Sequence, residues 1–114
     1  MSLRIQRCDS PRELMLGGEL DMATAPELKR VLGTMASDGD ITLDLTFLRF
    51  VDNAGVQVFL ATAERLDGTL VLWSPPDSLV RLLDLLRSPL PRNLVLQVPG
   101  DEPATTERPG SGRA

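Results

Sequence analysis

The chain of 114 residues contains no histidine. That absence removes the usual general base near neutral pH, the Ser-His and Cys-His pairs of nucleophilic catalysis, and the commonest metal ligand. A single cysteine, Cys8, cannot form an internal disulfide or a thiolate metal cluster, and its isolation suits a reducing cytoplasm. There is no tyrosine, one tryptophan and three phenylalanines, so aromatic residues supply only 4% of the chain and few platforms exist for stacking a sugar or a base. Lys and Arg number 12 against 16 Asp and Glu, and the net charge of −4 disfavours a nucleic-acid partner, whose phosphates reward basic surfaces. No apolar run approaches the ~20 residues of a membrane span, which argues against membrane insertion. The opening MSLRIQRCDSPREL has no apolar segment after its basic residues, so it does not read as a signal peptide. Neither a Walker-type glycine-rich loop nor a nucleophile elbow occurs. The expectation is a cytoplasmic protein that is not an enzyme and needs no cofactor or metal.

What is present is core material. Hydrophobic residues make up 42% of the chain, enough for one packed domain built from Leu, Val, Ile and Ala. SLRIQRC alternates loosely and reads as an edge strand; DSPR is a turn; ELMLGGEL resumes strand character. These two strands predict a hairpin, with Gly17 and Gly18 marking a bulge or a close backbone approach. A helix follows, with Leu28, Val31, Leu32 and Met35 at helical spacing and Pro26 in the first turn. Thr24 and Glu27 have capping-box spacing, in which the hydroxyl accepts the Glu27 N–H and the carboxylate reaches back.

Ile41, Leu43 and Leu45 then alternate with polar residues in a strand, and a second helix runs from about Asn53 to Leu66. LVLW is an unbroken apolar strand, expected to be covered on both faces. SPPDSLVRLLDLLRS predicts a third helix capped by Asp77 or Ser78, with Leu79, Leu82, Leu83 and Leu86 as its buried stripe; LVLQV is the last strand. From Pro99 the text PGDEPATTERPGSGRA lacks apolar periodicity. The expected organisation is a domain over 1–98 and a disordered tail over 99–114. The order β-β-α-β-α-β-α-β predicts an α/β fold with a mixed, mostly parallel sheet of four to five strands and three or more helices.

That order resembles the STAS domain, together with two short texts: GGELDMATAPEL (17–28) and ITLDLTFLRFVDNAGVQVFL (41–60). The family pattern is a Gly-x-Leu-Asp strand end leading into a helix, then an apolar strand, Asp-Ser-(Ser/Thr/Ala)-Gly and an amphipathic helix. The similarity covers roughly residues 3 to 98. The family includes bacterial anti-sigma factor antagonists and cytoplasmic modules of sulfate-type anion transporters. In the antagonists, the serine directly after that Asp is phosphorylated by an anti-sigma kinase. The unphosphorylated form binds the kinase and frees its sigma factor, and phosphate breaks the complex. Carried over by position, the target serine falls on Asn53, which has no hydroxyl; Ala54 offers none either.

Two readings of this junction stand side by side. Asp52 and Asn53 are both good N-caps, and Gly55 can admit close packing at the helix start. Alternatively the junction faces a partner. At about 100° per residue, Val56, Phe59, Leu60, Ala63 and Leu66 share the core side of the second helix. Ala54, Val58, Ala61 and Arg65 fall on the opposite side, a small semi-apolar stripe that a partner could approach. The resemblance also places the loop with Asp21 and Thr24 beside the junction. The candidate partner-binding residues are therefore Asp21, Thr24, Asp52, Asn53, Ala54, Gly55, Val58 and Ala61. Substitute phosphorylation at Thr46 or Thr24 is an alternative.

The resemblance implies a regulatory protein-binding module, an antagonist that binds a kinase-like anti-sigma factor and cannot be switched off at residue 53. The rival is a soluble STAS subunit of a lipid or anion transport system, or a structural member of a larger STAS assembly. The short length argues against a module fused to membrane spans, and a homodimer stays open.

Overall fold

The computed structural model describes residues 2–35, 37–86 and 89–99. The elements follow the expected order: β1 (Leu3–Arg7), β2 (Glu13–Leu20), α1 (Ala25–Gly33), β3 (Ile41–Val51), α2 (Asn53–Arg65), β4 (Leu70–Trp73), α3 (Asp77–Leu85) and β5 (Leu94–Gln97). They form one five-stranded sheet in the order β1-β2-β3-β4-β5. Only the β1–β2 hairpin is antiparallel; the other neighbours are parallel. The sheet grows in one direction through three successive β-α-β crossovers. Right-handed crossovers of that kind set all three helices on the same face.

The alternation in the strands explains the core. Leu14, Leu16, Ile41, Leu43, Leu45, Leu70 and Leu72 are buried together with Leu28 and Leu32 of α1, Val56, Phe59 and Ala63 of α2, and Leu79 and Leu83 of α3. Leu66 is buried and Leu60 partly so, which matches the predicted core face of α2. In β4, Leu70 and Leu72 face the helices and are fully buried, while on the other face Trp73 is buried and Val71 only half-buried; with all three helices on one side, the expected cover of both faces is not met by the helices. The β2–β3 register slips between Met15 and Gly17 and again between Gly18 and Glu19, where the glycine pair predicted a bulge. Gly18 has φ +95°, and a side chain there would meet the Ser2 carbonyl oxygen at 2.3 Å.

Two capping expectations are overturned. The Thr24 side chain makes no cap bond to α1, and Glu27 pairs instead with Arg30. The N-cap of α3 is Pro76, without a side-chain bond. Asp77 lies inside the helix, and the Ser78 hydroxyl accepts the Val51 N–H at 3.3 Å. Those hydroxyls tie loops and strands together rather than closing their own helices. Of the tail expected to be disordered, residues 100–114 lie outside the described residues.

Candidate functional site

The C-terminal ends of β2 and β3 and the starts of α1 and α2 meet at one edge of the sheet. Asp52 organises the meeting. Its N–H donates to the Leu20 carbonyl at 3.0 Å, extending the β2–β3 pairing past the end of β3. One carboxylate oxygen, Oδ1, accepts the N–H groups of Ala54 (2.9 Å) and Gly55 (3.3 Å), capping α2. The other, Oδ2, accepts the Met22 N–H at 3.1 Å and so fastens the β2–α1 loop to the start of α2.

That loop is held from within as well. Asp21 Oδ1 accepts the N–H groups of Ala23 (2.9 Å) and Thr24 (3.1 Å). The Thr24 hydroxyl accepts the Asp21 N–H and donates to the Glu19 carbonyl, each at 2.9 Å. Thr24 is consumed by its own loop, which is why it is not available for the capping box.

Asn53 has no such duty. It is the first residue of α2, exposed, and its side chain makes no hydrogen bond among the described residues. Because Asp52 alone caps the helix, capping does not account for the amide at position 53. Gly55 is different again. It is buried, and a Cβ there would meet Leu20 Cγ at 2.7 Å and Val51 Cγ1 at 2.9 Å. The glycine lets α2 rest on the strand ends, and its place in the site is beneath the surface rather than on it.

The outer stripe expected on α2 is also corrected in part. Ala61 is exposed and Ala54 half-buried, but Val58 is only 8% exposed. Val58 lies with Ala54, Ala61 and Arg65 along a groove of about 760 Å³ whose opposite wall is Met22, Ala25, Pro26 and Lys29. Helix α1 lies alongside the stripe, and the Arg65 guanidinium donates to the backbone carbonyls of Leu32 in α1 and of Met35 just past it, at 2.8 and 3.3 Å. The periodicity of α2 gave the correct angular position for Val58; which neighbouring helix covers that side was not readable from α2 alone.

The threonines considered as substitutes are now placed. Thr24 is half-buried and bonded as described. Thr46 is exposed within β3, and its hydroxyl donates to Asp44 Oδ1 at 2.6 Å. It lies in the strand, away from the edge where α2 begins. The sequence reading missed Met22, Phe50 and Leu85, three large apolar side chains exposed near this edge. For Phe50 and Leu85 a signal was present, since each falls out of phase with the apolar pattern of its strand or helix; Met22, in the loop, carried none.

Among the described residues, no helix is long and apolar enough to cross a membrane. A family model described as "Mlab, STAS domain" matches residues 3–88.

The chain belongs to the STAS family.

Curated relatives agree. An anti-sigma-B factor antagonist of Staphylococcus aureus (strain NCTC 8325 / PS 47) is 34% identical over 92 residues, covering 75% of this chain and 85% of that protein. A protein of the same description from Staphylococcus epidermidis is 33% identical over the same length, with the same coverage. Among solved structures, the anti-sigma factor antagonist SpoIIAA in its unphosphorylated form superposes with a TM-score of 0.60 at 15% identity. That superposition covers 84% of this chain and 87% of SpoIIAA, and at that identity it speaks to the STAS fold alone.

Proposed function

We propose that this STAS domain is an anti-sigma factor antagonist, not an enzyme. It binds a kinase-like anti-sigma factor in the cytoplasm and thereby releases a sigma factor. It engages its partner through the edge where α2 begins, and Asn53 stands at the phosphoserine position of its family. The observation that carries this reading is the division of labour between neighbours. The Asp52 carboxylate caps α2 and ties it to the β2–α1 loop, while Asn53 is exposed and makes no side-chain hydrogen bond among the described residues. An exposed polar side chain at the front of a helix, with no role in holding it, is free to meet another molecule. The 34% identity to a protein named as an anti-sigma-B factor antagonist supplies the class of partner.

A phosphate on a residue at this position would add −1.5 to −2 charges and a hydration shell at roughly neutral pH. The helix N-terminus would tolerate that charge locally, but a partner surface packed against it would not. Asn53 keeps the neutral, compact state permanently. Regulation through this position is therefore absent, and the antagonist is always competent.

The experiment is binding of the purified protein to each purified anti-sigma factor of the source organism, followed by incubation with ATP. Wild type should bind one of them, acquire no phosphate on residues 53–54 and stay bound. Asn53→Ser should bind, gain one phosphate at residue 53, and dissociate. Binding to a transport ATPase or permease instead, with no anti-sigma factor bound, would replace this reading with the transport-subunit one.

A further inference from the structure

The sheet carries its helices on one face, and its other face is unevenly exposed. Strand register sets Glu13, Thr42 and Val71 side by side across β2, β3 and β4. One step further along, Asp44, Trp73 and Gln97 stand side by side across β3, β4 and β5. These residues point away from the helices, because the leucines that alternate with them, Leu14, Leu43 and Leu72, are buried with the helix side chains. On that helix-free face Glu13 is 1% exposed, Asp44 3%, Trp73 5% and Thr42 7%. Phe47, on the same face opposite Gly17 of β2, is 60% exposed.

Side chains on one sheet face stand beside one another and leave their tips open. The lateral neighbours of Trp73 are Asp44 and Gln97, both smaller than an indole, so they cannot close over it. Its burial requires chain lying on top of the sheet, where there is no helix. Gln97 points to the same cover: its Oε1 is sealed from solvent and has no hydrogen-bond partner among the described residues. The chain leaves β5 at Gln97, the strand partner of Trp73, and runs through Val98 and Pro99 into residues 100–114. From that exit the buried residues cross β4 and β3 diagonally to Glu13 on β2. Three strand spacings of ~4.8 Å separate β5 from β2, and fifteen extended residues reach ~50 Å, so this segment is long enough to cross. Met1, Ala36, Arg87 and Ser88, the other residues outside those described, come singly or as a pair and cannot span it. Charge does not select the segment, since Asp101, Glu102 and Glu107 offset Arg108 and Arg113; its length and its point of departure do.

We infer that residues 100–114 fold back from β5 as an extended strap across the helix-free face, over Trp73 and on toward Asp44 and Glu13. Pro103 and Pro109 suit such a course, since proline favours extended chain and lacks the N–H that a helix interior uses. Backbone N–H groups of the strap supply the donor that Gln97 Oε1 otherwise lacks. The segment read from sequence as a disordered tail is then part of the domain. It lies across the sheet from α1 and α2, so the inference does not depend on what those helices bind.

Trp73 is the only tryptophan, so its fluorescence reads the cover directly. In the full chain, Ala104→Cys is combined with Cys8→Ser and labelled with a nitroxide, which quenches an indole that it touches. Labelling should lower Trp73 emission severalfold, and chemical reduction of the nitroxide should restore it. The same label on Glu64→Cys, exposed on α2 across the sheet, should leave the emission unchanged. A chain ending at Pro99 should keep its circular dichroism while Trp73 emission moves to longer wavelength and acrylamide quenches it severalfold more strongly. Should the shortened chain fail to fold, the labelled full chain decides. Unchanged emission with the nitroxide at position 104 overturns the inference. So does a shortened chain that folds with Trp73 as well shielded as before. If dilution of the full chain unshields Trp73, a second copy supplies the cover and the strap is overturned.

Discussion

The two ends of the parallel sheet are built from similar residues and used differently. At the end where the parallel strands begin, polar side chains close the structure. The Asn93 amide donates to the carbonyls of Ala63 (2.6 Å) and Gly68 (2.8 Å), tying the start of β5 to the end of α2. Arg12 reaches the carbonyls of Asp38 and Asp40, each at 3.0 Å, and Asp40 Oδ1 accepts the Thr69 N–H at 2.8 Å. At the other end Asp52, Asp21 and Thr24 perform the same kind of closure, yet Asn53, Met22, Phe50 and Leu85 project beyond it. Exposure without structural employment, not polarity, is what sets the edge at the start of α2 apart, and the proposed contact rests on that difference.

Substitutions can sharpen or break that contrast, beginning with the largest expected effect. Asp52→Ala removes the acceptor of three backbone N–H groups and should destabilise the fold by about 2–3 kcal/mol, read from urea unfolding. It should also weaken partner binding, because Met22 and the start of α2 lose their common anchor. Asn93→Ala should cost about 2 kcal/mol by the same measurement, since the carbonyls of Ala63, Leu66 and Gly68 lose their donor. Its partner affinity should not change, and a loss of affinity there would blur the distinction between the two edges. Gly55→Ala introduces a Cβ against Leu20 and Val51; overpacking offset by improved helix propensity should leave about 1–2 kcal/mol of destabilisation in a melting curve.

Much of the architecture was legible because its determinants are local and periodic. The alternation of Ile41, Leu43 and Leu45 fixed a strand, and the unbroken LVLW fixed a central one. The helical spacing of Val56, Phe59 and Ala63 fixed the inner face of α2. The errors fell where one residue had two available partners. Thr24 could cap α1 or bind its own loop, and the strand-end carbonyl of Glu19 won. Asp52 and Asn53 could each cap α2, and only the three-dimensional placement of Met22 shows why Asp52 holds the position. Gly55 carried a signal of close packing, but its neighbours, Leu20 and Val51, are distant or buried in the sequence pattern. The exposure of Leu85 on α3 was signalled only by its being out of phase with Leu79, Leu82, Leu83 and Leu86, a weak signal in so leucine-rich a helix.

The central claim is that Asn53 is an idle structural residue on a contact face, and one paired measurement addresses it directly. Asn53→Asp should leave thermal stability within about 0.5 kcal/mol of wild type, as an exposed substitution near a helix N-terminus does. The same protein, titrated against the anti-sigma factor that wild type binds, should show an affinity lowered by roughly tenfold or more through charge placed in a packed interface. Equal affinity of the two proteins, or a loss of affinity that merely tracks a loss of stability, contradicts the account.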